Sequence, residues 1–174
     1  KIEFKGTEFL FSFIYASNEL QERRELWESL EAFDLEGLLS FIGGDFNVIA
    51  DVSEKLGGLE SSMNGMLDFR NFISSKGLLD LGFSGCKYTW CNNRKGPRRI
   101  WSRLDRCLSN IHGLDFFAGS SVSHLSRAFS DHAPLLVELK RGSQEFKPFM
   151  YSDKWHSVDG FLQMMRKSWE QEMD

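Results

Sequence analysis

Leu38-Leu39-Ser40-Phe41-Ile42-Gly43-Gly44-Asp45-Phe46-Asn47 is the stretch that decides how this chain reads. Its first five residues form an apolar run of strand length, the pattern of a buried strand. Gly43 and Gly44 are expected to let the backbone turn sharply, leaving an acid and an amide two residues apart at the strand's carboxyl end. Open α/β sheets bind their ligands at that edge. In extended backbone, residues i and i+2 point the same way, so Asp45 and Asn47 are expected on one face. A carboxylate takes a proton or holds a cation, and an amide donates to a developing oxyanion. Gly, Asp and Asn are also ordinary turn residues, so a functional reading depends on the surroundings.

Upstream, residues 1–16 alternate loosely, are rich in Phe and are broken by Lys5-Gly6-Thr7, which reads as a hairpin with a central second strand. Asn18 reads as a helix N-cap, with Gln21 closing a capping box. The helix shows an apolar stripe of Leu20, Trp27, Leu30 and Phe33, with Glu22, Arg23, Arg24, Glu25 and Glu28 expected in water. Downstream, residues 48–65 read as a long functional loop holding Glu54-Lys55-Leu56-Gly57-Gly58. Met66, Phe69 and Ile73 mark a second helix, ended by Gly77. Residues 78–83, 87–91, 100–108 and 135–139 read as strands. Residues 1–140 are expected to form one partial domain. Residues 141–174 are expected to be a linker and an amphipathic helix carrying Phe161, Leu162, Met165 and Trp169. Lys1 opens inside an apparent strand and the last residues fall inside an apparent helix, so both ends are expected to be cut.

The 174 residues suffice for one domain with a sizeable core. Sixteen Phe and five Trp favour a large sheet-containing core. A formal net charge of −4 does not mark the whole molecule as a nucleic-acid binder. Enzymes acting on polyanions are nevertheless often acidic overall and keep their basic residues local. Cys86, Cys91 and Cys107 are odd in number and loosely spaced, which fits reduced thiols rather than a disulfide framework or a zinc site. No apolar run approaches the ~18 residues of a membrane span and no signal peptide opens the chain. The reading is a soluble, intracellular protein, nuclear or cytoplasmic, with no membrane partner.

Four polar points recur at strand ends: Tyr15, Asp45 with Asn47, Asp105 and Asp131-His132. Asp105 lies in Arg103-Leu104-Asp105-Arg106, where Trp101, Arg103 and Asp105 are expected to share a strand face. Singly, Tyr15 reads as a rim aromatic, Asp105 as the partner of a nearby Arg, and Ser130-Asp131-His132 as a turn. Together they suit attack on a phosphodiester. Asp45 orients or deprotonates water, while Asn47 and His132 donate to the phosphate. Asp105 holds the imidazole, and Asp131 joins a magnesium shell. His112, His124 and His156 have no patterned company and read as structural. Arg94, Lys95, Arg98 and Arg99, between Trp90 and Trp101, form the local candidate for nucleic-acid contact. The cations would pair with phosphates and Trp101 would stack on a base.

The order Tyr15, Gly44-Asp45-Phe46-Asn47, Arg103-Leu104-Asp105-Arg106, Ser130-Asp131-His132-Ala133-Pro134 resembles the endonuclease/exonuclease/phosphatase family. Tyr15-Ala16-Ser17-Asn18, Arg23-Arg24-Glu25-Leu26-Trp27, Glu54-Lys55 with Gly57-Gly58, Tyr88-Thr89-Trp90 and the segment from Trp101 to Arg106 resemble its plant non-LTR (LINE-type) retrotransposon endonuclease domains. Lys147-Pro148-Phe149 resembles a connector toward a reverse transcriptase. The resemblance implies a deoxyribonuclease-I-like α/β fold, a four-layer sandwich of two packed sheets flanked by helices, here without its N-terminal strands. It implies a Mg²⁺-dependent (or Mn²⁺-dependent) endonuclease that nicks DNA to leave a 3′-hydroxyl. Tyr15 would contact phosphate, Asp45 and Asn47 would activate water and bind phosphate, Asp105 would orient His132, and Asp131 would lie at the metal. The family's metal-binding Glu lies in a motif upstream of the Tyr, and neither Glu3 nor Glu8 carries that motif. A catalytically dead remnant or nucleic-acid-binding module of the same fold is the alternative, and a phosphatase of the same family a more distant one.

Overall fold

The computed structural model describes residues 2–4, 6–33, 37–59, 62–141 and 163. The chain divides into two compact units, Lys1–Ser143 and Gln144–Asp174. The expected tail helix and connector lie outside the described residues.

In chain order the first unit contains β1 (Ile2–Phe4), β2 (Thr7–Tyr15), α1 (Leu20–Glu31), β3 (Leu39–Asp45) and β4 (Lys55–Leu56). There follow α2 (Met63–Ser75), β5 (Leu78–Asp80), β6 (Ser84–Gly85), β7 (Trp90–Cys91) and β8 (Trp101–Ser102). The unit closes with β9 (Asp105–Asn110), α3 (Ile111–Phe116), β10 (Ser121–His124) and β11 (Leu135–Glu138). A five-stranded sheet runs β1-β2-β3-β9-β5, with β3 at its middle and β2 beside it. Two three-stranded sheets run β11-β10-β6 and β4-β8-β7.

Side-chain alternation along the inner strands builds the sandwich. Ile42 of β3 and Leu108 of β9 face α1 and α2, where Trp27, Phe46, Phe69 and Phe72 close the first core. Trp27 lies 4.9 Å from Phe72 and 5.3 Å from Phe69, centroid to centroid. Burying each such ring contributes about 1.5–3 kcal/mol. The neighbouring Phe41 and Cys107 face the opposite way, joining Phe9, Phe117 and Val122 in a second core closed by β10 and β11. The result is the α/β sandwich of packed sheets and helices read from the sequence. Cys86 is exposed, Cys91 and Cys107 are buried, and all three are free thiols. Among the described residues no helix is long and apolar enough to cross a membrane.

Several local expectations are corrected. Gly43 and Gly44 do not turn the chain; β3 runs through them to Asp45. Gly44 has φ +137°, and a Cβ there would collide with the Ile14 carbonyl oxygen of β2, so glycine serves a close approach of two strands. The turn comes at Asn47, whose φ is +50°. The N-cap of α1 is Glu19, with no side-chain cap; the Ser17 hydroxyl instead accepts from Glu19 N–H at 3.0 Å. Arg23 is buried, not in water, and its guanidinium donates to the Ser17 carbonyl at 2.8 Å. Phe33, assigned to the apolar stripe, is exposed. Residues 48–65 include a 3-10 turn at Val52–Glu54, strand β4 and the start of α2. The strand expected over 100–108 is interrupted at Arg103-Leu104, and Arg103 turns to Glu54 and Asp80 while Asp105 holds His132.

Candidate functional site

Strand register assembles the site. In the parallel β2–β3 pair Tyr15 lies opposite Asp45, and in the antiparallel β3–β9 pair Asp45 lies opposite Asp105. Tyr15, Asp45 and Asp105 therefore form one row at the carboxyl end of β3. His132, on the segment leading into β11, closes on this row. Its Nδ1 donates to Asp105 Oδ2 at 2.9 Å, and its Nε2 lies 3.8 Å from Asp45 Oδ2. One donor atom each from Asp45, Asp105 and His132 falls within 4.8 Å of the others.

Asp45 and Asn47 meet, though not by extended geometry. The left-handed backbone at Asn47 folds an Asx turn in which Asn47 N–H donates to Asp45 Oδ1 at 2.9 Å. The Asn47 side-chain amide donates to the Ala16 carbonyl at 2.8 Å and to Asp45 Oδ2 at 3.3 Å. Both amide protons are thus engaged, and the side-chain carbonyl is the end left over. Donation to a phosphate requires release of the longer contact, the one to Asp45.

Burial raises the Asp45 carboxyl above its ordinary value, and the like charge of Asp105 adds to that. The Asn47 N–H and the His132 imidazole act against it without reversing it. Asp131 sits at the lip. Its Oδ2 accepts from Trp90 Nε1 at 3.0 Å, and that hydrogen bond holds its carboxyl below the usual range. Tyr15 is almost fully exposed above the row. A cleft of about 600 Å³ joins Tyr15, Asp45, Asn47, Asp131 and His132 to Arg23 and Lys55 on the far wall.

Beneath the row lies a ring of charge in which Glu54, Arg103 and Arg106 are buried and Asp80 reaches the surface. Arg103 pairs with Glu54 at 2.9 Å and with Asp80 at 2.8 Å, and Arg106 pairs with Glu54 at 2.8 Å and with Asp80 at 3.2 Å. Burial alone would raise the Glu54 and Asp80 carboxyls, but hydrogen bonds and charge from Arg106 and Arg103 leave both below the ordinary value. The alternation of basic residues around Asp105 signals the two guanidiniums, but nothing local identifies Glu54 and Asp80 as their partners.

The basic turn is a 3-10 turn at Gly96–Arg98, and Arg94, Lys95, Arg98 and Arg99 are exposed. The Arg99 guanidinium lies 5.9 Å from the Trp101 ring centroid. Arg127, which the sequence did not single out, lies closer to that ring, at 4.5 Å, and donates to the Asp131 carbonyl at 3.2 Å. His124 is buried, with Nδ1 at 2.6 Å from the Cys86 carbonyl and its ring stacked on Phe83, a structural setting. His112 lies in α3, and His156 lies outside the described residues.

No protein-family model matches the sequence, and no curated protein does. Solved structures do match in fold. The endonuclease domain of TRAS1, a telomere-specific non-LTR retrotransposon, superposes with a TM-score of 0.54 at 17% identity, over 81% of this chain and 62% of that one. A 3′-5′ exonuclease (NExo) from Neisseria meningitidis superposes with a TM-score of 0.55 at 22% identity, over 69% of this chain and 52% of that one. The chain thus spans between half and two thirds of the length of these two structures, and its fold is the one they share.

Proposed function

We propose that this chain is the larger part of a metal-dependent DNA endonuclease domain of the non-LTR retrotransposon type, nicking DNA to leave a 3′-hydroxyl. The observation that carries the reading is the row Tyr15–Asp45–Asp105 closed by His132 at one edge of a nuclease-like sheet. The fold likeness to a retrotransposon endonuclease domain and to an exonuclease supports it.

Asp45 is the base that orients and deprotonates the attacking water, a role that suits a carboxyl raised by burial. With Nδ1–H committed to Asp105, His132 presents Nε2 to the cleft, placed to face the phosphate and its developing charge. Tyr15 and Asn47 contact the same phosphate. The carboxylates of Asp45 and Asp105, with Asp131 at the lip, give the cleft the hard oxygen donors that suit a divalent cation keeping several waters. Mg²⁺ held at Asp131 would supply positive charge at the phosphate oxygens. The cation's principal carboxylate, by the family resemblance, is a Glu upstream of Tyr15. Arg94, Lys95, Arg98, Arg99 and Trp101 form the DNA-contacting rim. A reverse transcriptase domain in the same polyprotein is the partner that the type implies.

A second reading, a non-turnover module of the same fold that binds nucleic acid, is favoured by one observation. Both protons of the Asn47 side-chain amide are engaged within the protein, by the Ala16 carbonyl and by Asp45 Oδ2. Supercoiled-plasmid nicking in Mg²⁺ or Mn²⁺ separates the two. The nuclease reading expects nicking that Asp45→Asn and His132→Ala abolish. No nicking, or a background that both variants leave unchanged, rejects it for this chain.

A further inference from the structure

Thr89 is wholly buried, yet every polar atom it owns is used at the point where the site is put together. Its Oγ1 accepts from two successive backbone amides, Leu104 N–H and Asp105 N–H, each at 3.0 Å. Its carbonyl accepts from Ala133 N–H at 2.6 Å, and its own N–H donates to the Ser102 carbonyl at 3.0 Å. One residue therefore ties the end of β8 and the start of β9 to the residue after His132. The next two residues extend the tie. Trp90 bridges His132 in antiparallel register, and Cys91 N–H donates to the Asp131 carbonyl at 2.9 Å.

The ladder is interrupted between β8 and β9, so the amides of Leu104 and Asp105 find their acceptor in a single hydroxyl. A buried N–H left without a partner is costly, and the chain would shift to relieve it. Core filling alone would need only the shape of Thr, which Val supplies. The hydroxyl is needed only for the amides on which Asp105 sits.

We propose that Thr89 is a positioning residue of the site: its hydroxyl and carbonyl together set the distance from Asp105 to His132, and so hold the imidazole with Nδ1–H on Asp105 and Nε2 toward the cleft. The catalytic consequence rests on the nuclease reading; the geometric one does not. A displacement of about 1 Å between groups that must be aligned costs on the order of 100-fold in rate.

The test compares Thr89→Val with Thr89→Ser in the full chain. Imidazole proton–nitrogen correlation spectra at mildly alkaline pH read the neutral tautomer of His132, and plasmid nicking reads the rate. Wild type and Thr89→Ser are expected to hold the Nδ1–H tautomer. Thr89→Val is expected to lose it and to nick about 100-fold more slowly, chiefly through kcat. A folded Thr89→Val that keeps the tautomer overturns the proposal, as does a Thr89→Ser that loses it. If the wild type does not nick, the nuclease reading fails while the tautomer comparison still decides this one. If Thr89→Val does not fold, hydrogen exchange at Leu104 and Asp105 in wild type and Thr89→Ser decides. Strong protection of both amides supports the tie, and fast exchange overturns it.

Discussion

Replacing Glu54 by Gln removes one negative charge from the buried side of the Glu54–Arg103–Arg106–Asp80 ring and changes almost no volume. Glu54 Oε1 accepts from Arg103 Nη1 at 2.9 Å and Arg106 Nη1 at 3.2 Å, and Oε2 accepts from Arg106 Nη2 at 2.8 Å and Ala50 N–H at 2.7 Å. Gln can offer only one acceptor oxygen to these four donors, and its amide points a donor at a guanidinium. The ring, formally neutral with two acids and two arginines, becomes a net cation, with its exposed member Asp80 left as the one acid facing two buried guanidiniums. The side chains of Glu54 and Arg106 are 11% and 1% exposed, so solvent screens little of the imbalance. Breaking a buried pair in this way costs about 3–5 kcal/mol. For a domain of this size that lowers Tm by roughly 6–20 °C. Urea and thermal unfolding followed by Trp fluorescence read it directly. Removing matched partners, Glu54→Leu with Arg106→Met, is expected to cost less than the two single changes added together, by about 1–3 kcal/mol. The ring also makes stability depend on pH. Both carboxyls are lower in the folded chain than in the unfolded one, so their contribution is complete above the ordinary carboxylate range. It is lost as pH falls through the folded values. Acid unfolding of wild type should steepen below about pH 4, and Glu54→Gln should lack part of that slope. A Glu54→Gln chain within about 1 kcal/mol of wild type would falsify the account of a tightly coupled ring.

Asp45 has the opposite sign: its folded carboxyl is raised, so its stabilising contribution is present below the unfolded pKa and lost as pH rises through the folded one. Asp45→Asn should abolish nicking and raise Tm at neutral pH, while wild-type nicking should appear with rising pH above the ordinary carboxylate range; a lowered Tm contradicts the burial argument. Gly44→Ala should destabilise by about 2–3 kcal/mol in urea melts, through positive φ and a collision with the Ile14 carbonyl. Gly43→Ala, whose Cβ would meet the Phe11 ring at 3.3 Å and the Arg106 carbonyl oxygen at 3.6 Å, should cost less, and the reverse order would refute the strand-approach explanation. Changing Arg94, Lys95, Arg98 and Arg99 together to Ala should weaken DNA binding and flatten the plot of log affinity against log salt by about 0.9 per lost phosphate contact. An unaltered slope would remove this turn from the DNA interface.

The sandwich was legible because β2, β3 and β11 are apolar runs of the right length, and the two principal helices carry clear stripes. Short-range logic failed where one residue served a distant neighbour. Gly44 looks like a turn residue until Ile14 is placed against it, and Arg23 looks solvated until the Ser17 carbonyl reaches it. That Asp45, Asp105 and His132 would lie together was legible from their places at the ends of apolar runs. How they are held was not. The Asp45–Asp105 row depends on strand register, the Glu54 ring on contacts across about fifty residues, and the Thr89 tie on a hydroxyl that reads as ordinary β-sheet composition.

The small sheet β4-β8-β7 has strands of two residues each, and it is to β7 that His132 is bridged. Segments that short open locally at a fraction of the free energy that holds the aromatic cores. The backbone that carries the imidazole is therefore tied to some of the shortest strands among the described residues. Warming should silence the site while Trp27 and its neighbours remain packed, so inactivation would precede melting. On the return path, chemistry would be the last property the chain regains.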